Sequence, residues 1–544
     1  MKRSASLLIL TVLIVLAQPA AGEYPQIRIN TDQTQELQNE QQICINPTDS
    51  DNVVACWRDF RLGYRQVGIG YSFDGGESWT DYLIGGELPW DSDPVLIVDD
   101  DGTFYLVVIN YENGGANQLS VHRSVTGGAS WEGPFSAVYS SGATFEDKEW
   151  IAVDRSGGAY DGNLYVAWSR FNDVKIMCVT STDRGETWTD PVRVSDPGHY
   201  AQWPVPIALA NGDVLIAWDR YYQNAILYDI STDGGATWGS DRTLTTTSTG
   251  PQDQINGAIT VFPYPSLVVD ETSGPRAGWA YCVYPDEAVS ADGMDIWCRR
   301  STDNGESWSA RVRVNDDPTG LNRDQFHPWV TCDEEGVLTA IWYDRRDDPS
   351  NYLWHIYLSR STDGGTTWEE NIRVTDVASS PGDAAAANGP AVETGEPVRL
   401  LPAGLIGEYS GVAVREGVTH PVWTDTRNGH QDTYVSIIGP PAAIGDDVRI
   451  STRASLRATP NPAQGTAEIL LRSPAAASAT IEIHDATGRL VRMLPLGSLA
   501  AGERRVSFDG RDAAGERLPA GTYFARVTGV PGMEGVRTKL VLLP

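Results

Sequence analysis

An eight-residue pattern, Ser-x-Asp-x-Gly-x-Ser/Thr-Trp, recurs along this chain and restricts its fold more than any other feature. Five copies keep the aspartate, and a sixth copy at 124–131 has Thr126 in its place. The five aspartates are Asp74, Asp183, Asp233, Asp303 and Asp363. With Thr126 included, successive copies are 52, 57, 50, 70 and 60 residues apart. Self-similarity at such a period is typical of β-propeller blades.

The residues of the pattern fit a turn between two strands. An aspartate side chain accepts hydrogen bonds from backbone N–H groups of its own turn. The glycines permit the positive φ that a tight reversal needs, and the tryptophan buries its ring between sheets. The pattern therefore predicts a folding device and not a catalytic group.

Alternating apolar runs surround each copy and predict four strands per repeat. Around the third copy these runs are 151–155, 163–171, 175–181 and 191–196, which we interpret as strands a to d of an antiparallel blade. A seventh set at 409–438 has no turn pattern and no fourth strand. Residues 26–30 (QIRIN) resemble the other d strands and are expected to close the ring, which removes open sheet edges. We predict an all-β fold with seven blades over 25–440, with six blades as the alternative.

The N-terminus and the charge favour an exported, soluble protein. Lys2 and Arg3 precede an apolar run, Leu7–Ala17, that is short for a membrane span, so residues 1–22 are predicted to be a signal peptide, with a membrane anchor as the alternative. The formal net charge of −31 disfavours nucleic acid and anionic membranes as partners. We therefore expect a secreted or cell-surface protein without a membrane span in the mature chain.

The six cysteines allow two disulfides in an oxidising compartment. Cys44 and Cys56 are expected on neighbouring strands, as are Cys282 and Cys298, whereas Cys178 and Cys332 have no obvious partner. The cysteine and histidine spacing does not suggest zinc. Acidic segments such as Asp91–Asp93 lack the spacing of an ordered calcium loop, so we predict neither a metal nor a cofactor.

The repeated box resembles the Asp box of the sialidase superfamily, and the resemblance covers about residues 25–440. It implies a propeller that recognises glycans, with exo-α-sialidase-type hydrolysis as one activity. The segment 407–414 (GEYSGVAV) resembles the family's tyrosine motif, which implies Tyr409 as nucleophile with Glu149 as its base. The segment 56–61 (CWRDFR) resembles a strand end that carries Asp59 and Arg61. The N-terminal arginine motif of sialidases is absent, as is an aspartate shortly after Arg61.

Strand alternation places the remaining candidates on the face opposite the boxes. The boxes lie in c–d turns, so the b–c and d–a connections must meet on the other face. A second repeat, tryptophan followed by acidic residues and arginine, ends several b strands. It offers Arg61, Arg220, Arg346 and Arg427 as partners for a sugar carboxylate, and the d–a connections add Trp203 and His327. The alternative is architectural: aspartate and arginine at blade ends pair with each other.

Composition changes after Ile438. Residues 441–457 are predicted to be a linker, and 458–544 a small Ig-like β-sandwich because alternating strands are joined by Gly-rich turns. This part resembles the Ig-like domain of flagellar hook-capping proteins and the sorting domains of type IX secretion. The resemblance implies contact with outer-membrane secretion machinery, and a passive spacer is the alternative.

Two functions remain open from the sequence. The first is a glycosidase of the exo-α-sialidase type, which would use Tyr409, Glu149 and Asp59. The second is a propeller that binds a carbohydrate or a protein on the same face without cleaving it. The missing arginine motif favours the second function, and the tyrosine motif favours the first.

Overall fold

The computed structural model describes residues 24–382, 406–439 and 455–542, apart from short gaps at 113, 172, 199, 221–222, 251–252, 288–291, 460–462, 464–465, 474–476, 486–487, 500–501 and 531–536. The chain divides into two compact units, 1–440 and 441–544. The predicted signal peptide and most of the predicted linker lie outside the described residues. Within the described residues, no helix is both long and apolar enough to cross a bilayer.

The first unit consists of seven four-stranded antiparallel sheets, which confirms the prediction of seven blades. Strands are numbered in chain order. The inner strands a, in blade order, are β2 (Gln38–Asn46), β6 (Trp90–Val98), β10 (Glu146–Val153), β14 (Ala201–Ala208), β20 (Ser266–Val269), β24 (Gln325–Cys332) and β28 (Gly411–Arg415). The b strands are β3 (Asp49–Asp59), β7 (Phe104–Tyr111), β11 (Leu164–Arg170), β15 (Val214–Arg220), β21 (Ala280–Asp286), β25 (Leu338–Asp344) and β29 (Val418–Asp425).

The outer half of each blade is formed by strands c and d. The c strands are β4 (Gln66–Ser72), β8 (Asn117–Ser124), β12 (Lys175–Ser181), β16 (Ala225–Ser231), β22 (Asp295–Ser301), β26 (His355–Ser361) and β30 (Asp432–Ser436). The d strands of the first six blades are β5 (Thr80–Ile84), β9 (Glu132–Ser140), β13 (Val192–Arg193), β17 (Arg242–Thr246), β23 (Val312–Arg313) and β27 (Ile372–Arg373). A hairpin of β18 (Asp253–Ile255) and β19 (Ile259–Val261) precedes blade 5.

The ring closes through the N-terminus, as the sequence predicted. Strand β1 (Gln26–Arg28) pairs antiparallel with β30, and Ile27 lies opposite Val435. Ile29 and Val435 are both buried in one core cluster with residues of blade 1. Because the last blade contains both ends of the propeller chain, the ring is closed and only the outer strands of the blades remain as edges.

Each box is a c–d turn held by its own side chains. In the first box, the Asp74 carboxylate accepts hydrogen bonds from the Ser78 backbone N–H at 2.8 Å and from the Ser78 hydroxyl at 2.5 Å. The Trp79 indole donates to the Gly76 carbonyl at 2.9 Å. In the degenerate box, the Thr126 hydroxyl accepts from the Ser130 N–H at 2.9 Å. The boxes therefore stabilise turns, which confirms their predicted structural role.

The second unit has two sheets and its own apolar core. One sheet has the order β31 (Ser455–Thr459), β32 (Ala467–Ser473), β35 (Gly502–Phe508). The other has the order β34 (Leu490–Leu499), β33 (Ala477–Asp485), β36 (Gly521–Thr528), β37 (Arg537–Leu542). Residues from both sheets, including Ile469, Ile481 and Phe508, form one buried cluster. This arrangement confirms the predicted β-sandwich.

The cysteine pairs lie on neighbouring strands as expected, but neither of the two possible disulfides is formed. All six lie within the described residues, and all six are free thiols. In the register of blade 5, Cys282 lies opposite Arg299 while Cys298 lies opposite Val283, so the two thiols are offset by one position. Burial raises the pKa of the Cys298 thiol to about 12, so this thiol is an inert core group.

Candidate functional site

A β-bulge in five of the seven inner strands turns one side chain towards the propeller axis. In blades 1, 2, 3, 4 and 6, the register between strands a and b shifts immediately after the second or third residue of strand a. The residue that follows has positive φ in each case: Glu40, Asp93, Lys148, Trp203 and His327. Positive φ is uncommon for non-glycine residues, and bulges are known to re-aim side chains beside functional sites. The axis is therefore lined by residues that the backbone holds in an unusual conformation.

Five of the charged residues near the axis form one buried network, here called the axial ion cluster: Glu40, Arg58, Asp93, Lys148 and Glu408. Lys148 Nζ lies 2.6 Å from Asp93 Oδ2, 2.5 Å from Glu408 Oε2 and 3.8 Å from Glu40 Oε1. Arg58 Nη1 lies 2.7 Å from Glu40 Oε1. Three carboxylates thus share two cations that the chain itself supplies.

The cluster controls the protonation of its members. Burial alone would raise the pKa of Asp93 and of Glu408, but the positive charges of Lys148 and Arg58 hold both below the usual carboxyl range. Burial raises the pKa of Glu40 well above its usual value; the negative charges of Asp93 and Glu408 add to this effect, and the positive charges of Arg58 and Lys148 only partly oppose it. The pKa of Lys148 lies above its usual value despite burial, because three carboxylates surround it.

The three carboxylates of the cluster have the composition of a cation site. One oxygen of each of Glu40, Asp93 and Glu408 lies within 4.8 Å of the others. The Lys148 ammonium lies within 4 Å of all three carboxylates, and Arg58 binds Glu40 from a second direction. A lysine ammonium thus supplies the positive charge that a metal ion would otherwise bring.

A narrow pocket lies against this cluster, and we call it the central pocket. Its walls are mostly aromatic and come from blades 3, 4, 5, 6 and 7. The lining residues are Lys148, Glu149, Trp150, Trp203, Pro204, Val205, Tyr264, Trp329 and Tyr409. The structure therefore brings three of the predicted site residues, Tyr409, Glu149 and Trp203, to one place.

Glu149 is an unusual member of the central pocket. Its side chain is 1% exposed, and within the described part of the chain neither carboxylate oxygen has a hydrogen-bond partner. Burial and the nearby Asp93 charge raise its pKa well above the usual value, which favours the neutral acid. A buried carboxyl without partners is costly, and such groups often serve a ligand.

Tyr409 is buried and already engaged. Its hydroxyl donates a hydrogen bond to Asp93 Oδ2 at 3.2 Å, and its ring packs edge-on against Trp150 with centroids 5.4 Å apart. Burial and four surrounding carboxyl groups raise its pKa well above the usual value. The neutral phenol is thus strongly favoured over the phenolate.

The predicted arginines lie elsewhere, in a repeated arrangement that we call the clasp. A tryptophan indole N–H and an arginine guanidinium bind the same carboxylate. In blade 1, Trp57 Nε1 donates to Asp59 Oδ2 at 2.7 Å, and Arg61 Nη2 lies 2.6 Å from that oxygen. Blades 6 and 7 repeat the clasp with Trp342, Asp344 and Arg346, and with Trp423, Asp425 and Arg427. These side chains satisfy one another, which matches the architectural alternative for the repeat.

The other predicted residues have different surroundings. Arg220 lies at the end of β15 and does not form an ion pair with any residue that the structure describes. His327 is fully buried, its Nδ1 atom lies 3.0 Å from the Ile406 carbonyl, and burial lowers its pKa to about 4. Asp59, Arg61, Arg346, Arg427 and His327 are not among the residues that line the central pocket.

The sequence did not predict that four charged residues meet in one cluster: Lys148, Asp93, Glu408 and Arg58. Each of these residues was visible in the sequence as a charge within or beside an apolar strand. Only the bulges show which of these charges turn inward, because alternation alone assigns Lys148 and Glu149 to opposite faces.

A second cavity, of about 330 Å³, occupies the part of the channel near the ends of the inner strands. It takes residues from all seven inner strands or the turns that follow them, and it shares Trp150 and Val205 with the central pocket. The mouth carries Arg155, Glu271, Asp100 and Arg415. Arg155 pairs with Asp100 at 3.1 Å and with Glu271 at 3.2 Å, so these charges largely neutralise one another.

Comparisons with known proteins agree with the two-unit architecture. The family model of the FlgD Ig-like domain matches residues 458–532. No curated protein matches the sequence at a significant level. The solved structures that resemble the chain include PorZ, a surface component of the type-IX secretion system of Porphyromonas gingivalis, at 14% identity and a TM-score of 0.39. That match covers 92% of this chain and 59% of PorZ.

Two glycosidase structures are also similar to the chain. A Hadza microbial sialidase is 14% identical with a TM-score of 0.41, over 72% of this chain and 74% of that one. The α-L-arabinofuranosidase of Fusarium graminearum, solved with arabinobiose, is 11% identical with a TM-score of 0.42, over 76% of this chain and 97% of that one. The fold and the boxes define the first unit as a seven-bladed β-propeller with box turns between its outer strands. The second unit is a β-sandwich whose residues 458–532 match the FlgD Ig-like model.

Proposed function

We propose that this protein is a secreted or cell-surface propeller that binds a glycan through its central pocket without hydrolysing it. The observation that carries the proposal is the Glu149 carboxyl, which is buried without a hydrogen-bond partner among aromatic walls. Sugar hydroxyls would supply the missing partners, and indole faces would pack against the C–H groups of a sugar ring.

The surroundings of Tyr409 favour binding over hydrolysis. A tyrosine nucleophile needs an adjacent base and an open path to the anomeric carbon. Here the hydroxyl donates to Asp93, whose second partner is Lys148. No arginine is among the residues that line the pocket, so the carboxylate clamp of a sialidase has no counterpart there.

Hydrolysis of the exo-α-sialidase type is the second candidate, and one observation favours it. Tyr409 and Glu149, the predicted nucleophile and base, line the same pocket. In this alternative, Asp59 would have to leave its clasp to act as acid, since both its oxygens now hold Arg61.

The export and the C-terminal unit complete the proposal. The predicted signal peptide would direct the chain out of the cytoplasm. The Ig-like unit would attach the propeller to outer-membrane secretion machinery or to the surface. Capture of the mature chain in outer-membrane fractions only when residues 458–544 are present would support this role, and equal capture without them would reject it.

The binding proposal is tested on a glycan array with the mature protein and two variants. Glu149→Gln keeps the side-chain shape but replaces the carboxyl group with an amide. We expect at least tenfold weaker binding to any glycan that the wild type binds. Glu370→Gln is the matched control, because Glu370 is an exposed carboxyl beyond the sixth box. Equal loss in both variants, or no binding by the wild type, would reject a pocket-based glycan function.

Hydrolysis is tested with a fluorogenic α-sialoside in the same preparation. The proposal predicts no turnover above the rate of a heat-unfolded sample. Turnover that disappears in Tyr409→Phe would instead identify a sialidase and its nucleophile.

A further inference from the structure

The clasp in blade 3 takes its carboxylate from a different strand than the other clasps. Blade 3 has Ser169 between Trp168 and Arg170 and lacks the aspartate that blades 1, 6 and 7 place two residues after the tryptophan. Glu146, at the start of β10, fills this role. Its carboxylate accepts from Trp168 Nε1 at 2.5 Å and from Arg170 Nε at 2.8 Å.

Blade 4 has the same backbone as blade 3 at this place. Glu146 pairs with Arg170 in blade 3, and Ala201 pairs with Arg220 in blade 4. The inner strands β10 and β14 then bulge at matching positions, and both b strands connect to their c strands through equally long turns. Since directly paired residues share a face of the sheet, Ala201 presents only a methyl group where blade 3 presents a carboxylate.

The two donors of the clasp are nevertheless kept in blade 4. Trp218 and Arg220 stand two residues apart on β15, as Trp168 and Arg170 do on β11, so they face the same side. Within the described residues, the buried Nε1 atom of Trp218 and the buried Nε atom of Arg220 have no hydrogen-bond partner. Trp218 is fully buried, whereas the Arg220 side chain is partly exposed.

Unpaired donors at this place are costly. A buried polar group without a partner loses the hydrogen bonds that it makes to water in the unfolded chain. Four blades avoid this loss with an internal carboxylate, and blade 4 retains both donors without one. An external carboxylate would complete the clasp with the same charge-assisted hydrogen bonds.

We propose that blade 4 binds the carboxylate of a small acidic ligand between Trp218 and Arg220, in the place that Glu146 occupies in blade 3. The ligand class is a sugar acid or another compact carboxylate. The chain's net charge of −31 repels anions in general, so binding requires this local pair of donors. The site is separate from Glu149 and the central pocket, and it rests on the proposed function only in the choice of a sugar as one probe.

The first measurement uses the full mature chain labelled with fluorotryptophan, in which Trp218→Phe assigns the Trp218 resonance. Propionate mimics the end of a glutamate side chain, D-glucuronate adds a sugar ring, and D-glucose has the ring without the charge. We expect saturable shifts of the Trp218 resonance with propionate and glucuronate and none with glucose. Tenfold tighter binding of glucuronate than of propionate identifies a sugar acid, and equal binding identifies the carboxylate alone.

Two variants add an internal carboxylate to blade 4 and remove the one in blade 3. Ala201→Glu supplies the carboxylate within the chain, so we expect a higher melting temperature and loss of the carboxylate-dependent shift. Glu146→Ala removes the internal carboxylate of blade 3, and we expect a new carboxylate-dependent shift of the Trp168 resonance. If Ala201→Glu fails to fold, Arg220→Gln gives the same loss of the shift at a partly exposed position.

The proposal is overturned if neither carboxylate shifts the Trp218 resonance of the wild type, or if Ala201→Glu and Arg220→Gln both leave the shift unchanged. Failure of glycan binding through Glu149 would not produce either result. Glu149→Gln is expected to weaken glycan binding and to leave the Trp218 shift intact. This variant therefore distinguishes the two proposals.

Discussion

The Tyr409 hydroxyl donates to Asp93 Oδ2 at 3.2 Å, and the same oxygen lies 2.6 Å from Lys148 Nζ. These residues come from blades 7, 2 and 3, so one oxygen atom joins three blades at the axis. Glu408, the neighbour of Tyr409 in the chain, binds the same lysine. The three blades are thus joined at the axis by ion pairs and one hydrogen bond.

Tyr409→Phe is expected to change stability little. The substitution removes one hydrogen bond to a carboxylate that remains paired with Lys148, which is worth about 1 kcal/mol. Urea unfolding followed by tryptophan fluorescence measures the difference. A loss several times larger would show that the hydroxyl organises the whole cluster.

Lys148→Met is expected to destabilise the propeller by about 3–5 kcal/mol, because it leaves buried carboxylates without their shared cation. Lys175→Met is the matched control. Lys175 pairs with Asp173 at the surface, and exposed pairs contribute about 0–1 kcal/mol. Comparable urea midpoints for the two variants would show that the axial ion cluster does not hold the blades.

The Lys148→Met variant should also recover stability in acid. Without the lysine, the folded-state pKa of the buried carboxyls rises above the unfolded value, so protonation favours the folded state as the pH falls. The difference from wild type should therefore be smaller at pH 5 than at pH 8. Thermal unfolding at several pH values measures it, and an unchanged difference would contradict this account.

Asp219→Asn is expected to flatten the pH dependence of stability between about pH 4 and pH 8. Burial raises the pKa of Asp219 to about 8, and neither oxygen has a partner within the described residues. The folded state then retains a proton that the unfolded state releases, so wild-type stability falls as the pH rises, by at most about 1.4 kcal/mol per pH unit. Melting curves of wild type and variant that remain parallel over this range would disprove it.

Thr126→Asp is expected to stabilise the second box by about 0.5–1 kcal/mol, because a carboxylate would accept charge-assisted hydrogen bonds from the Ser130 N–H and hydroxyl, which the neutral Thr126 hydroxyl now contacts at 2.9 Å each. Asp183→Ala in an intact box is the converse variant and should lose about 1 kcal/mol or more, since Asp183 binds both the N–H and the hydroxyl of Thr187. A higher melting temperature for Thr126→Asp and a lower one for Asp183→Ala would support the box as a stabilising turn. Changes in the same direction would contradict it.

The pH response of the boxes has the opposite sign to that of Asp219. Desolvation opposes ionisation of Asp183, but several hydrogen bonds, from Thr187 and Ser181 among others, together hold its pKa below the usual value. A lowered folded-state pKa contributes stability above the unfolded pKa and loses it as the pH falls through the folded one. The deficit of Asp183→Ala should therefore shrink below about pH 4.

The sequence by itself determined the architecture of this protein. The turn pattern has a fixed chemistry, and its spacing repeats, so the blades, the box turns and the closing strand near Ile27 follow from local rules. The clasp repeat was equally visible, and the pairing of Asp59 with Arg61 was one of its two sequence interpretations. Such contacts can be predicted from the sequence because a turn or a blade end is built from residues that are close in the chain.

Only the tertiary structure decided which residues meet at the axis. Lys148 reaches Asp93 because β10 and β6 bulge at corresponding positions, and it reaches Glu408 in the segment before β28. A bulge reverses the alternation on which strand reading depends. The absence of a carboxylate beside Trp218 likewise became apparent only when Ala201 was found opposite Arg220. Both facts depend on register between strands, which is set by packing around the whole ring and not by any segment alone.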